Sequence, residues 1–242
     1  MLFFLVDGSN MKKVLLDDIF YIKTGLVEQP DEELYWLDSN GNRIRVRTLR
    51  MGSFNASTKK IKSIEQLEKA ERRLSEIRKL REGKMKPRKY KKIETLRLNG
   101  RLIDDDKLLD KDDYVINTRN LGEDAIINGY SLSKSLDENT LQKLGPLCIS
   151  HHFIVLKPRK SMLNLHVPFL HMMLDIIVDK VLPDLAQTHG LIRTKQLKQL
   201  QIQIPLDYSL QEKLYSQYQK LEDRCNSASM ELDKFKESFI FS

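Results

Sequence analysis

Three short groups of residues in this chain have types and spacings that could support metal binding or catalysis. His151-His152 offers two imidazoles, but adjacent residues on a strand point to opposite faces, so one ion cannot easily bind both. Glu82-Gly83-Lys84 has the Glu-x-Lys spacing of magnesium-dependent nuclease sites, in which the lysine orients water. Asp104-Asp105-Asp106 could hold a cation, although an acidic turn before a strand is the more common structure.

None of these groups has the partners that its chemistry would need. Asp31, the aspartate considered for a nuclease site, lies about fifty residues before Glu82 in a different predicted element. The sequence also contains no glycine-rich nucleotide-binding loop. We therefore predict no catalytic residue, no metal and no cofactor in this chain.

The composition is that of a folded protein of a reducing compartment. Of the 242 residues, 40% are hydrophobic and 31% charged, which is enough apolar material for a core without disulfides. Cys148 and Cys225 form no Cys-x-x-Cys pair, and the apolar run at 2–6 is too short for a signal peptide or a membrane span. We expect a cytoplasmic protein in which residues 1–11 are an N-terminal extension.

Positive charge is concentrated in one segment of the chain. Residues 57–101 hold 17 Lys and Arg against 6 Asp and Glu, although the whole chain has a net charge of only +7. Such a patch is typical of a protein that binds a polyanion, and a solvated helix face is the alternative. The loop within it is predicted to contact phosphates through six side chains: Lys84, Lys86, Arg88, Lys89, Lys91 and Lys92.

A predicted β-hairpin would present more arginines to a nucleic acid. Its strands are Tyr35-Trp36-Leu37 and residues 44–49, with Asn40-Gly41 as the turn. Alternation would place Arg43, Arg45 and Arg47 together on one face. These arginines are predicted to read base edges, together with residues from other loops: Arg119, Thr188, His189 and Arg193.

Other segments have clear periodicity. Residues 63–82 predict a helix with a Ser63/Gln66 capping box and Gly83 as its stop, and residues 168–181 predict a buried helix. Residues 114–118 and 148–157 predict strands. From Gln211 onward, apolar residues alternate at four and three positions, which predicts a coiled coil or, alternatively, an amphipathic helix on its own domain. The predicted dimer contacts are Leu214, Tyr218, Leu221, Cys225, Ala228, Leu232 and Phe235.

The order of these elements resembles the target-recognition unit of the specificity subunits of Type I restriction–modification systems. In that family a strand is followed by a helix, a glycine-containing loop, a Leu-rich segment that ends in an Ile-x-Ile-Pro strand, and a long helix that begins with Gln. Here the strand is 150–158, the helix lies near 167–181, and the loop is Thr188-His189-Gly190. The Leu-rich segment and its strand occupy 197–206, and the long helix begins at Gln211.

Two upstream segments also resemble this family. Leu16-Asp17-Asp18-Ile19, with Ile22-Lys23-Thr24-Gly25, is similar to the opening of the domain. Residues 111–118 are similar to its central strand, with Asp-Asp in place of the usual Gly-Asp. The basic segment and the single target domain depart from the family, whose complete subunit has two target domains and two long helices.

The resemblance implies an α+β fold with three parts. They are a mixed-sheet target-recognition domain over 12–206, a basic helical insertion at about 57–100, and a coiled-coil spacer or dimerisation helix over 207–242. It also implies a non-catalytic, sequence-specific subunit that directs a methyltransferase or endonuclease partner to double-stranded DNA. The alternative is a coiled-coil adaptor or inhibitor that mimics a specificity subunit and binds its partner proteins.

Two further expectations accompany this interpretation. The chain has neither the Phe-x-Gly-x-Gly nor the Asn-Pro-Pro-Tyr motif of amino-methyltransferases, so methyl transfer would belong to the partner. Because a complete subunit gains pseudo-twofold symmetry from two domains, we expect a homodimer through antiparallel helices. The seam from 211 to 239 is centred on Cys225, which would lie opposite its mate.

Overall fold

The computed structural model describes residues 11–27, 32–55, 60–82, 100–118, 127–136, 138–159, 165–189 and 192–240. The predicted N-terminal extension lies almost entirely outside these residues. The strands, numbered β1 to β12, are Met11–Leu15, Phe20–Thr24, Leu34–Leu37, Arg43–Leu49, Phe54–Asn55, Lys60–Ile61, Arg101–Leu102, Tyr114–Asn117, Gly129–Ser131, Leu147–Ile149, Phe153–Pro158 and Gln201–Pro205. The α-helices, numbered α1 to α8, are Leu16–Ile19, Ile64–Glu82, Leu132–Ser135, Glu138–Leu144, Val167–Lys180, Leu182–His189, Thr194–Gln199 and Tyr208–Ile240.

A four-stranded antiparallel sheet separates two hydrophobic cores. Its strand order is β2-β11-β8-β9. Ile154 and Leu156 pack with helices α5, α6 and α7 in the helical core, whereas Phe153 and Val155 face the second core, which contains Leu67 of α2. Successive side chains of β11 point to opposite faces, so the strand contributes to both cores. This is why it is apolar at nearly every position.

The second four-stranded sheet is mixed and carries the predicted hairpin. Its order is β10-β4-β3-β7, with β10 parallel to β4 and β3 antiparallel to β4. The hairpin is confirmed, with Gly41 in the left-handed region at φ 79° and Asp38 Oδ1 accepting from the backbone N–H groups of Asn40 and Asn42. The fold is thus α+β with several sheets, as predicted.

One predicted strand is in fact two. The apolar run over 148–157 was expected to form a single strand, but residues 150–152 form a turn in which the Phe153 N–H donates to the Ser150 carbonyl at 3.1 Å. β10 then pairs with β4, whereas β11 pairs with β2 and β8 in the other sheet. The chain changes sheets at this turn, so the prediction that the two histidines lie on one strand is wrong.

Strand β12 closes the domain by pairing antiparallel with β1. The Leu16 N–H donates to the Leu200 carbonyl at 2.9 Å, which extends this contact into helix α1. The Ile-x-Ile-Pro strand predicted at 201–205 is confirmed, and Ile202 and Ile204 are buried in the helical core. The two ends of the domain are therefore joined directly beneath helix α8.

Two predicted helices are confirmed with differences in their burial. Helix α5 is capped by His166 and has Pro168 in its first turn, and it is buried except at positions such as Ile176. Helix α2 has the Ser63/Gln66 capping box, with both reciprocal hydrogen bonds at 3.2 and 3.3 Å. Only its first half is packed, because Leu67 is buried whereas Leu74, Ile77 and Leu80 are exposed. None of the described helices combines the length and apolar character needed to cross a membrane.

Candidate nucleic-acid interface

Strand β4 presents its arginines on a face that passes from exposed to buried. Arg43 and Arg45 are exposed, Arg47 is half-buried, and Leu49 on the same face is completely buried in the core beneath α2. The opposite face contributes Val46 to a small core with Leu34 and Cys148. The prediction that the three arginines share one face is confirmed, and it follows from the strand period.

Tyr35 organises the exposed end of this arginine row. It lies directly across from Arg45 in the β3–β4 pair, and the guanidinium carbon of Arg43 lies 4.4 Å from the centre of its ring. The Tyr35 hydroxyl donates to the Glu33 carboxylate, and this hydrogen bond raises the pKa of Tyr35. The tyrosine therefore remains neutral and offers a planar support for the Arg43 guanidinium.

A cleft of about 580 Å³ opens between β4 and helix α2, and we call it the arginine cleft. Arg47 Nε lies 3.0 Å from Glu71 Oε1 of α2 across the cleft. Its charged lining mixes both signs: Arg45, Arg47, Arg50 and Lys79 with Glu32, Glu33 and Glu71. Such alternating donors and acceptors suit base edges better than a continuous row of phosphates.

A second cleft, of about 370 Å³, adjoins the arginine cleft at the 150–152 turn, and we call it the histidine cleft. The rings of His151 and His152 line it with their centres 4.0 Å apart. Sequence reasoning did not connect these histidines with Arg47 and Arg50, since they come together only where the two sheets meet. This proximity depends on the pairing of β4 with β10, which no local sequence pattern predicts.

The predicted phosphate-binding loop belongs to the part of the chain that the structure does not describe. Residues 84–92 and Arg119 lie outside the described residues. Thr188 and His189 were predicted to lie in a loop, but they form the last residues of helix α6, so that prediction is wrong. Arg193 is exposed before helix α7, which packs on α1 and β2 rather than on the arginine hairpin.

Helix α8 has a packed inner part and an exposed outer part. Leu214, Tyr215 and Tyr218 pack against the helical core of their own domain. Burial, followed by the Glu222 carboxylate, raises the pKa of Tyr218 to about 12. From Leu221, which is 42% exposed, the described side chains are exposed, including Cys225 and Ala228. The side chains of Leu232 and Phe235 lie outside the described part.

Gln211 fastens helix α8 to the domain. Its side chain is completely buried; Oε1 accepts from the His166 N–H at 2.9 Å, and Nε2 donates to the Pro205 carbonyl at 2.8 Å. These two bonds join the start of α5 and the end of β12 to one residue. The long helix was predicted to begin at Gln211 but begins at Tyr208, so Gln211 lies in its first turn, where its side chain has a structural function.

The buried titratable groups in the domain take part in structural networks. His171 is completely buried, and its ring nitrogens lie 2.8 Å from Ser131 Oγ and 3.0 Å from the Asp112 carbonyl oxygen. Burial lowers the pKa of His171 and raises the pKa of Tyr114, whose hydroxyl donates to Asp175. Within the described ranges, no group of three or more His, Cys, Asp or Glu residues could hold a metal ion.

Comparison with solved structures shows a likeness in fold. The chain is similar to the crystal structure of the S subunit of a Type I restriction–modification system from M. genitalium, with a TM-score of 0.47 and 14% sequence identity. The match covers 94% of this chain and 43% of that one, so this chain spans less than half of that subunit's length. No family model matches the sequence. No curated protein matches it either.

Proposed function

We propose that this chain is a non-catalytic, sequence-specific DNA-recognition module of the Type I specificity-subunit kind. The observation that carries the proposal is the arginine face of β4, where Arg43 and Arg45 are exposed beside a cleft lined with further arginines. Arginine is well suited to bidentate hydrogen bonds with guanine in the major groove. A two-stranded hairpin also has dimensions that fit this groove.

Two different contributions to DNA binding follow from the distribution of charge. The arginine cleft pairs Arg47 with Glu71, so its charge is largely balanced and it would contribute specificity. The segment 57–101 has 11 more positive than negative charges and would contribute affinity through phosphates. The basic loop at 84–92 and the hairpin arginines are therefore assigned separate functions.

The structural contacts of two sequence features that resemble the Type I specificity subunits support the proposed assignment to this family. The Ile-x-Ile-Pro strand closes the domain on β1, and Gln211 fixes the long helix to that strand. A module built in this way would hold its DNA-reading hairpin in a fixed relation to the helix. In a restriction–modification system, the helix would serve to bind the methyltransferase or endonuclease subunits that perform the chemistry.

The salt dependence of DNA binding tests this proposal. Replacing Lys84, Lys86, Arg88, Lys89, Lys91 and Lys92 with Gln is expected to reduce the slope of log affinity against log salt by about 0.9 for each phosphate that the protein no longer neutralises. The control is a variant with Lys213→Gln and Lys220→Gln, two exposed residues of α8. A slope that is equal in all three proteins would remove the basic loop from the binding surface.

The exposed outer part of α8 favours a second candidate, an adaptor or inhibitor that binds only the protein partners of a specificity subunit. Both candidates predict that a methyltransferase subunit copurifies with the chain. Only the DNA-recognition module binds duplex DNA by itself, and neither cleaves nor methylates DNA when magnesium and S-adenosylmethionine are supplied. Copurification without any salt-dependent DNA binding would favour the adaptor.

A further inference from the structure

The histidine cleft has apolar walls and a cationic rim. Met51, Leu67, Ala70 and Leu74 form an apolar lining, and Arg47 and Arg50 lie together at the adjoining end of β4. The imidazole rings of His151 and His152, tilted by 43° to each other, add two aromatic faces. Glu71 adds one carboxylate acceptor to the lining, held by its ion pair with Arg47. This combination fits a flat, polar heterocycle that carries a negative charge.

Ser150 gives an independent indication that the histidine cleft takes a ligand. The residue lines the cleft and is only 3% exposed, and its Oγ has no hydrogen-bond partner among the described residues. Buried hydroxyls are nearly always hydrogen-bonded in folded proteins. The Ser150 backbone is fixed by the bridge to Leu26 and by the turn to Phe153, so its position does not depend on the side chain.

We propose that the histidine cleft binds a single nucleotide. The nucleobase would pack between the apolar lining and the imidazole rings, with the Glu71 carboxylate available to its polar edge. Ser150 Oγ is covered by its surroundings and would reach this edge by rotation about χ1. Its phosphate would lie toward Arg50. This inference rests on the proposed function for one of its two sources, a nucleotide unstacked from bound DNA; the other source is a free mononucleotide.

Two measurements distinguish these sources. Saturation-transfer NMR with each of the four deoxynucleoside monophosphates reports the binding of a free nucleotide. A fluorescence titration compares a duplex that contains one unpaired 2-aminopurine with the fully paired duplex of the same sequence. Both are made on the wild-type chain, on Ser150→Ala, Arg50→Ala and Ala70→Phe, and on Arg73→Ala, an exposed arginine of α2 that does not line the cleft, as control.

Ser150→Ala is the most informative variant, because an unpartnered hydroxyl contributes no hydrogen bond to the fold and its loss should leave the melting temperature unchanged. We expect the unpaired duplex to bind about tenfold more tightly than the paired one, and this preference to be lost in all three cleft variants but not in Arg73→Ala. Mononucleotide signals that vanish in the same variants, with equal affinity for both duplexes, support the cleft with a free nucleotide as its ligand.

Other results separate this inference from the proposed function. Mononucleotide binding without any duplex binding would support the cleft and contradict DNA recognition. If neither the nucleotides nor the unpaired base are bound, or if binding is unchanged in Ser150→Ala and Ala70→Phe, the cleft is not a nucleotide site.

Discussion

At the scale of single residues, Gly25 shows how closely the two sheets approach each other. The chain leaves β2 at this residue, and the next N–H, of Leu26, donates to the Ile149 carbonyl at 2.7 Å. A Cβ at Gly25 would lie 2.2 Å from the Ser150 carbonyl oxygen. Gly25 belongs to the segment that resembles the opening of the domain in Type I specificity subunits. A glycine is required at this position because the two backbones are in close contact.

We predict that Gly25→Ala destabilises the protein by about 3 kcal/mol or more, because backbone atoms must move to admit the methyl group. Gly52→Ala is the matched control, since a Cβ at Gly52 would have no neighbour within 4 Å. Urea denaturation followed by circular dichroism measures both changes. Equal stability of the two variants would contradict this contact between the sheets.

Asp113 is a buried carboxyl that responds to pH. Burial raises its pKa to about 6, although Lys157 Nζ at 3.0 Å partly opposes the shift. Because the folded pKa lies above the ordinary value of 3.8, the stabilising effect of the protonated form is complete below about pH 3.8 and is lost as pH rises through about 6.

Asp113→Asn should therefore remove a fall in stability of about 2 kcal/mol between pH 4 and pH 6. Unfolding free energies measured across this range for the wild-type protein and the variant test the prediction, and Asp223→Asn, at an exposed position of α8, serves as control. Parallel pH profiles of the wild-type protein and Asp113→Asn would show that Asp113 titrates normally.

At the scale of elements, helix α8 depends on the two hydrogen bonds of Gln211. Gln211→Ala leaves the His166 N–H and the Pro205 carbonyl without these partners, and we expect a loss of about 2 kcal/mol or more. Gln219→Ala removes an exposed bond to the Tyr215 hydroxyl and should cost less than about 0.5 kcal/mol. Thermal melting compares the two, and similar melting temperatures would contradict the role of Gln211.

The elements that sequence reasoning predicted correctly are those set by local patterns. The β3–β4 hairpin follows from Asn40-Gly41 and strand alternation, and helix α2 follows from its capping box and periodicity. The turn at 150–152 was missed because the two halves of one apolar run pair with strands that are distant in sequence. Pairing between β1 and β12 is equally non-local.

The candidate site was only partly predictable for the same reason. The arginine face of β4 follows from a period of two, so Arg43, Arg45 and Arg47 could be named in advance. The pairing of Arg47 with Glu71, and the approach of His151 and His152 to Arg50, depend on how α2 and the 150–152 turn cross the hairpin. The exposure of Leu74, Ile77 and Leu80 likewise depends on where α2 contacts the rest of the domain, since only the first half of this helix is packed.

At the scale of the whole molecule, the exposed outer part of α8 is proposed to pair with a second copy. Leu214 and Tyr218 already contact their own domain, so the pairing would rely mainly on the seam from Leu221 onward. In an antiparallel pair centred on residue 225, mild oxidation should give a disulfide-linked dimer through the exposed Cys225. Cys225→Ser should abolish this product, whereas Cys148→Ser, at a buried cysteine, should not.

Mass measurements extend this prediction to the apolar seam. Leu221→Asp with Leu232→Asp should convert the dimer to a monomer, because both substitutions place charge in the proposed interface. If the unmodified chain is monomeric at micromolar concentration, or if the double variant keeps the dimer mass, the helix does not pair in this way.

The chain is proposed to read DNA sequence through the hairpin arginines. Selection of bound duplexes from a random pool measures this directly, with the wild-type protein and Arg45→Ala compared at one fixed salt concentration. We predict that the wild-type protein enriches one motif, and that Arg45→Ala relaxes the preference at a position of that motif by about tenfold. Recovery of no DNA, or of an unenriched pool, would contradict the claim.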